Sequence, residues 1–125
     1  MIYGIGTDIV AVARMGEFFE RHGERGLEKL LAPEEREDCR ASREPARFLA
    51  KRFAAKEALA KALGTGMRAP VLMPDMAVDH DALGKPAFRY AAPLAAFLAE
   101  HGLAAHLSIS DERDYAVAFV VVEEA

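Results

Sequence analysis

The sequence predicts an α+β fold: an antiparallel sheet packed against one long helix, in a single compact domain over residues 1–125. Three observations carry this. Ala46–Leu63, rich in Ala, Leu and Lys, runs as one helix from Pro45 to Gly64, a residue suited to ending it. Strand-like runs occupy both chain ends, and the last two strands are joined around Asp111-Glu112-Arg113-Asp114. The order of strands and helices, with turn-linked strand pairs, suits an antiparallel sheet.

From the start of the chain, Ile2–Gly6 alternates apolar residues with glycine and reads as a short strand. Glycine weakens a strand unless something approaches closely, so Gly4 and Gly6 imply a close backbone neighbour. Thr7-Asp8 offers capping oxygens to a helix from about Ile9 to His22, stopped by Gly23, with Val12, Met15 and Phe19 on one stripe. A further helical piece lies around Leu27–Leu31. Pro33 opens the next helix, with Glu34, Glu35 and Glu37 near its positive end. After the long helix, Gly64-Thr65-Gly66 forms a loop that Pro70 and Pro74 extend. Asp75–His80 alternates Met76 and Val78 with acids, and Gly84-Lys85-Pro86 turns it into a second strand, Ala87–Tyr90. Pro93 begins a helix with Leu94, Phe97, Leu98 and His101 on one stripe, ended by Gly102. Leu107–Ser110 and Tyr115–Glu123 close the chain as a hairpin. Val117–Val122 alternates little, so that strand should be covered on both faces.

Composition narrows the function. With 52% hydrophobic and 29% charged residues in 125, the chain can bury a real core. Twenty acids against sixteen bases give a net charge of −4, which argues against a nucleic-acid binder driven by bulk positive charge. Cys39 is the only cysteine, so there is no intramolecular disulfide. With four scattered histidines it makes no structural zinc site of the usual kind either. Met1–Val12 lacks the basic start of a secretory signal, and no apolar run approaches the ~20 residues of a membrane span. A soluble cytoplasmic protein is expected.

The long helix carries the best chemical clue. At 100° per residue, Phe48, Leu59, Leu63, Leu49 and Phe53 cover an arc of about 140°, the width of a core face. Arg52 and Lys56 fall inside that arc, and Glu57 and Lys61 lie at its edge on consecutive turns. Either the cationic stems lie over the core edge and Glu57 pairs with Lys61, or a bound anion or another subunit covers that side. Asp8 is either an N-cap or a carboxylate facing a cleft. Gly64-Thr65-Gly66 matches no phosphate-binding P-loop; it is a helix-ending turn, or a loop that admits a phosphate or pantetheine-like chain. Arg14, Phe18, Arg21 and, if the helix continues past Gly23, Arg25 fall within about 60° on the first helix. That stripe suits an acidic helical partner, or is a solvated face braced by Glu17 and Arg21. His101 reads as a packed helix-end residue, and Cys39 as an incidental thiol.

Five segments in order resemble the bacterial holo-[acyl-carrier-protein] synthase family of 4′-phosphopantetheinyl transferases, over essentially the whole chain. They are Gly4-Ile-Gly-Thr-Asp-Ile-Val10, Arg47-Phe-Leu-Ala-Lys-Arg-Phe-Ala-Ala-Lys-Glu-Ala58, Lys61-Ala-Leu-Gly-Thr-Gly66, Leu83-Gly-Lys-Pro86 and Leu107-Ser-Ile-Ser-Asp-Glu-Arg-Asp-Tyr-Ala116. The resemblance implies transfer of phosphopantetheine from coenzyme A to a serine of apo-acyl carrier protein, in fatty acid biosynthesis. It implies magnesium on Asp8 and Glu57, with Lys61 on the coenzyme A phosphates, these three being catalytic. Coenzyme A would also meet Arg52, Gly64, Thr65, Gly66, Lys85 and Pro86. The first helix, through Arg14 and Arg21, would dock the carrier protein. A homotrimer with sites between subunits is expected, which would cover Arg52 and Lys56. Many members carry histidine where this chain has Asp111, so no histidine role transfers there. Whether Glu57 or a water takes the serine proton stays open. The competing reading is a non-catalytic module that binds coenzyme A or carrier protein.

Overall fold

The computed structural model describes all residues, 1–125. Its elements are β1 (Ile2–Ala11), α1 (Val12–Leu30), α2 (Pro33–Ala41), α3 (Pro45–Leu63), a 3-10 turn (Met73–Asp75), β2 (Met76–His80), β3 (Pro86–Tyr90), α4 (Ala92–Glu100), β4 (Leu103–Asp111) and β5 (Tyr115–Glu124). The fold is α+β, as expected. The strands form an antiparallel sheet ordered β1-β5-β4 and a separate β2-β3 hairpin, rather than one continuous sheet. One core of 27 buried residues runs from Val10 to Val122 and holds the layers together.

The boundaries of α3 are as expected. Pro45 occupies its first turn, where a missing N–H costs nothing, and Gly64 ends it at φ 76°, a left-handed value that glycine adopts without strain. At the N-terminus the structure departs from expectation. β1 runs on to Ala11 because β5 pairs with it residue by residue: Thr7 opposite Phe119, Asp8 opposite Ala118, Ile9 opposite Val117. Ladder pairing over this length outweighs the local capping signal of Thr7-Asp8. Asp8 is therefore a strand residue and caps nothing. α1 begins at Val12, whose N–H donates to Asp114 O at 2.8 Å, and Ala11 contributes no side-chain cap. At Gly23 (φ 53°, ψ −132°) the backbone leaves the helical region and breaks α1 into two helical pieces, as expected of that glycine.

On β5 the alternation is clean. Ala116, Ala118, Val120 and Val122 are fully buried against α3, while Phe119 on the other face is 45% exposed. The expectation that this strand is covered on both faces fails for the single chain. Ile5 and Ile9 of β1 extend the bare face.

Gly4 and Gly6 have the predicted close neighbour, and it is helix backbone. A Cβ on Gly4 would collide with the Ala62 carbonyl oxygen, and one on Gly6 with that of Ala58. Neither obstacle is a flexible side chain that could move aside. Gly6→Ala should cost about 3 kcal/mol or more in a denaturant titration, at the upper end of overpacking penalties. A wild-type midpoint would show that the two backbones are not in register here.

Candidate active site

The glycine-mediated crossing of β1 over α3 builds the site. Asp8 lies two residues beyond Gly6, so the strand's period of two turns it to the same face, towards α3. Lys61 meets it there: Nζ donates to Asp8 Oδ1 at 3.0 Å and to the Thr7 carbonyl at 3.0 Å. The Asp8 side chain is 16% exposed and that of Lys61 53%, so the pair is partly open to solvent. Glu57, one turn before Lys61 on the same helix, is half-buried. It does not pair with Lys61, as helical spacing allowed, because Lys61 is already taken by β1. Asp8 and Lys61, far apart in sequence, thus meet, and Glu57 lies one turn before Lys61 with no ion-pair partner.

This donor set fits a hard divalent cation. Carboxylate oxygens are the ligands magnesium takes, usually one or two of them beside waters and substrate phosphates. The chain has no group of three or more His, Cys, Asp or Glu that could hold a metal unaided. Asp8 and Glu57 would be completed by the substrate's own oxygens.

Arg52 and Lys56 are covered within the chain itself, by an acid of α2. Glu35 of α2, 2% exposed, takes Lys56 Nζ at 2.6 Å and lies 3.0 Å from Arg52 Nε. Glu35 also accepts the Ala32 and Val78 backbone N–H groups. Lys56, fully buried, places its remaining protons on Leu30 O at 2.8 Å and Met73 O at 3.0 Å. Burial pushes the Lys56 amine down to about 8, against the pull of Glu35. Arg52 is also lowered by burial, and its guanidinium lies 4.3 Å above the Phe48 ring. At 7% exposure Arg52 is a structural partner of Glu35, which leaves little of its surface for the coenzyme A contact expected of it.

The other expected residues are spread more widely. Gly64 and Gly66 have no chain atom within 4 Å of a would-be Cβ, so the loop after Lys61 is open on that side. Lys85 and Pro86 lie apart on the β2-β3 hairpin, lining a depression of about 380 Å³ with Asp79 and His80. On α1, Arg14, Arg21 and Arg25 are exposed around half-buried Phe18, which floors two adjoining hollows. Glu17 and Arg21 make no ion pair; Arg14 instead lies 5.3 Å from the Phe53 ring. His101 is exposed rather than packed, its ring against Phe97. Cys39 is fully buried, and burial raises its thiol pKa, which suits an inert core residue. Spacing gave no notice of Arg47, which binds the β4–β5 turn through Asp111 Oδ2 (3.0 Å), Glu112 O (2.6 Å) and Arg113 O (3.0 Å).

β1 laid on α3 through two glycines thus sets a carboxylate of the strand against a lysine of the helix, with a second carboxylate one turn before that lysine. The family model described as the 4′-phosphopantetheinyl transferase superfamily matches residues 4–120. A holo-[acyl-carrier-protein] synthase of Azoarcus sp. is 62% identical over 123 residues, 98% of each chain. The crystal structure of the synthase from Neisseria meningitidis superposes with a TM-score of 0.95 at 48% identity, covering 98% of this chain and 99% of that one. A synthase structure from Bacillus anthracis in complex with CoA (3′,5′-ADP) reaches 0.84 at 35% identity, covering 100% and 99%. The chain belongs to the holo-[acyl-carrier-protein] synthase family.

Proposed function

We propose that this chain moves the 4′-phosphopantetheine of coenzyme A onto a serine of apo-acyl carrier protein, in fatty acid biosynthesis, releasing adenosine 3′,5′-bisphosphate. The observation that carries this reading is the 3.0 Å contact of Lys61 with Asp8, with Glu57 free one turn before. The named synthases, and the coenzyme A complex among them, support it.

Asp8 and Glu57 would hold magnesium, which when bound neutralises charge on the pyrophosphate of coenzyme A. Lys61, fixed on its backbone side by Thr7 O, keeps an ammonium at the same point and adds positive charge where phosphate charge builds. The serine oxygen gives its proton to Glu57 or to a water and bonds to the β-phosphorus as the bond from that phosphorus to the nucleotide's oxygen breaks. Positioning and electrostatics suffice for such a transfer. Gly64, Thr65 and Gly66 are assigned to the phosphopantetheine arm, and Lys85 and Pro86 to another part of coenzyme A.

α1 is assigned to the carrier protein. Reversing Arg14 and Arg21 to Glu should raise KM for the carrier about tenfold or more while coenzyme A KM stays nearly constant, as rim charges act chiefly on association. Equal loss for both substrates would remove α1 as the docking face. The bare sheet face, with Ile5 and Ile9 near 60% exposed and Phe119 at 45%, is assigned to a homotrimer. Light scattering should return three times the 13.6 kDa chain, and a monomer mass would refute this assignment. The reading places the reaction in the cytoplasm; no helix is long and apolar enough to cross a membrane.

Incubation with apo-carrier protein, coenzyme A and magnesium, followed by intact-mass spectrometry of the carrier, tests the function. The expected result is a metal-dependent gain of one phosphopantetheine. Coenzyme A binding without any gain would leave a binding module instead.

A further inference from the structure

Three elements meet at the turn between β4 and β5. The N-terminal part of α3 supplies Arg47, whose guanidinium donates to Asp111 Oδ2 and to the carbonyls of Glu112 and Arg113. The turn's last carbonyl, Asp114 O, accepts the Val12 N–H, the first of α1. That helix has no side-chain cap and no acid in its first turn, so the turn is the visible anchor of its start. Immediately before it, Ala11 pairs with Tyr115, three residues beyond Asp8 on the same strand. One side chain on α3 therefore grips a turn which in turn holds the start of α1 and the end of β1.

Arg47 is suited to this. Its planar fork reaches three acceptors at once, which a lysine point charge cannot do. Its side chain is 22% exposed and that of Asp111 31%, so the contact is partly shielded from solvent. Arg47 also lines a shallow basic depression with Arg43 and Lys51, where it could instead touch an anionic substrate. The two roles differ in one respect. A substrate contact needs Arg47 alone, whereas a latch draws part of its hold from Asp111, the rest coming from the Glu112 and Arg113 carbonyls.

We propose that Arg47 and Asp111 form a latch that positions the carrier-docking helix α1 relative to the Asp8–Glu57–Lys61 site on β1 and α3. This inference rests on the functional reading above. The chemistry requires a docked serine to be placed within a fraction of an ångström of the reacting phosphorus, and small misplacements are costly. α1 brings the carrier, α3 brings Glu57 and Lys61, and the latch joins them without touching either substrate. Arg47 and Asp111 are thus positioning residues.

The test compares Arg47→Ala, Asp111→Ala, the double variant and Arg47→Lys. Each alanine variant should raise KM for carrier protein and lower kcat, together by about tenfold, with KM for coenzyme A unchanged within about twofold. The double variant should be no worse than Arg47→Ala, since Arg47→Ala already removes the Asp111 contact along with the two carbonyl contacts. Arg47→Lys should restore the function only in part. A rise in coenzyme A KM confined to Arg47→Ala, with Asp111→Ala silent, would overturn the latch in favour of a substrate contact. A fall in thermal midpoint with all kinetic constants unchanged would overturn it in favour of a purely structural tie. Amide exchange at Val12–Arg14 should quicken in both alanine variants, whether or not the protein turns over. Unchanged exchange there overturns the latch independently of the functional reading, which fails only if the wild type transfers no phosphopantetheine.

Discussion

Asp8→Ala and Glu57→Ala should each lower kcat about a thousandfold or more with carrier protein, coenzyme A and magnesium, leaving the fold intact. Neither side chain is part of the core. Asp8 contributes one ion pair to a half-exposed lysine, worth at most about 1 kcal/mol to stability. Glu57 has no ion-pair partner to lose. The loss should therefore appear in turnover and not in the thermal midpoint or circular dichroism. Asp8→Asn and Glu57→Gln, which keep shape and remove charge, should behave like the alanines. Wild-type turnover in any of these variants would mean the site lies elsewhere.

The second large effect is on stability. Lys56→Met should destabilise the protein by about 3–5 kcal/mol, the usual cost of leaving one half of a buried ion pair uncompensated. Glu35 would keep its two backbone N–H donors and Arg52 but lose its shortest contact. Leu30 O and Met73 O would each lose a donor. The pH dependence follows from burial. The folded chain releases the Lys56 proton near pH 8, whereas the unfolded chain holds it up to an ordinary 10.5. Between these values the unfolded state binds more protons, so this group's contribution to stability increases as pH rises. The stability gap between wild type and Lys56→Met should widen from pH 8 to about 10 in urea titrations. A gap that narrows over that window would contradict the assignment of burial as the dominant cause.

What was legible in the sequence divides along physical lines. The ends of α3 are marked by Pro45 and Gly64, local signals that no tertiary contact overrode. The close approach at Gly4 and Gly6 was also legible, because glycine in a strand asks for an explanation, but its partner was not. That Ala58 and Ala62 supply the opposing backbone depends on how the helix lies on the sheet. Asp8 was singled out as a candidate with an N-cap as its other reading; it caps nothing, since β5, more than a hundred residues away, decides that the strand continues. Glu35 was read as an ordinary first-turn acid. Its position in α2 is the same either way, and only the packing of α2 on α3 shows it to be the counter-ion of Lys56 and Arg52. Arg47 was invisible for a related reason. Three of its acceptors lie more than sixty residues on, in a turn whose location the local pattern could not give.

Titration of Mn²⁺ into the protein with coenzyme A present, followed by electron paramagnetic resonance, tests without relying on turnover whether the β1–α3 crossing joins Asp8 and Glu57 into one divalent-cation site. One bound Mn²⁺ per chain is expected in the wild type, lost in Asp8→Asn and equally in Glu57→Gln. Wild-type Mn²⁺ binding in either variant would contradict it.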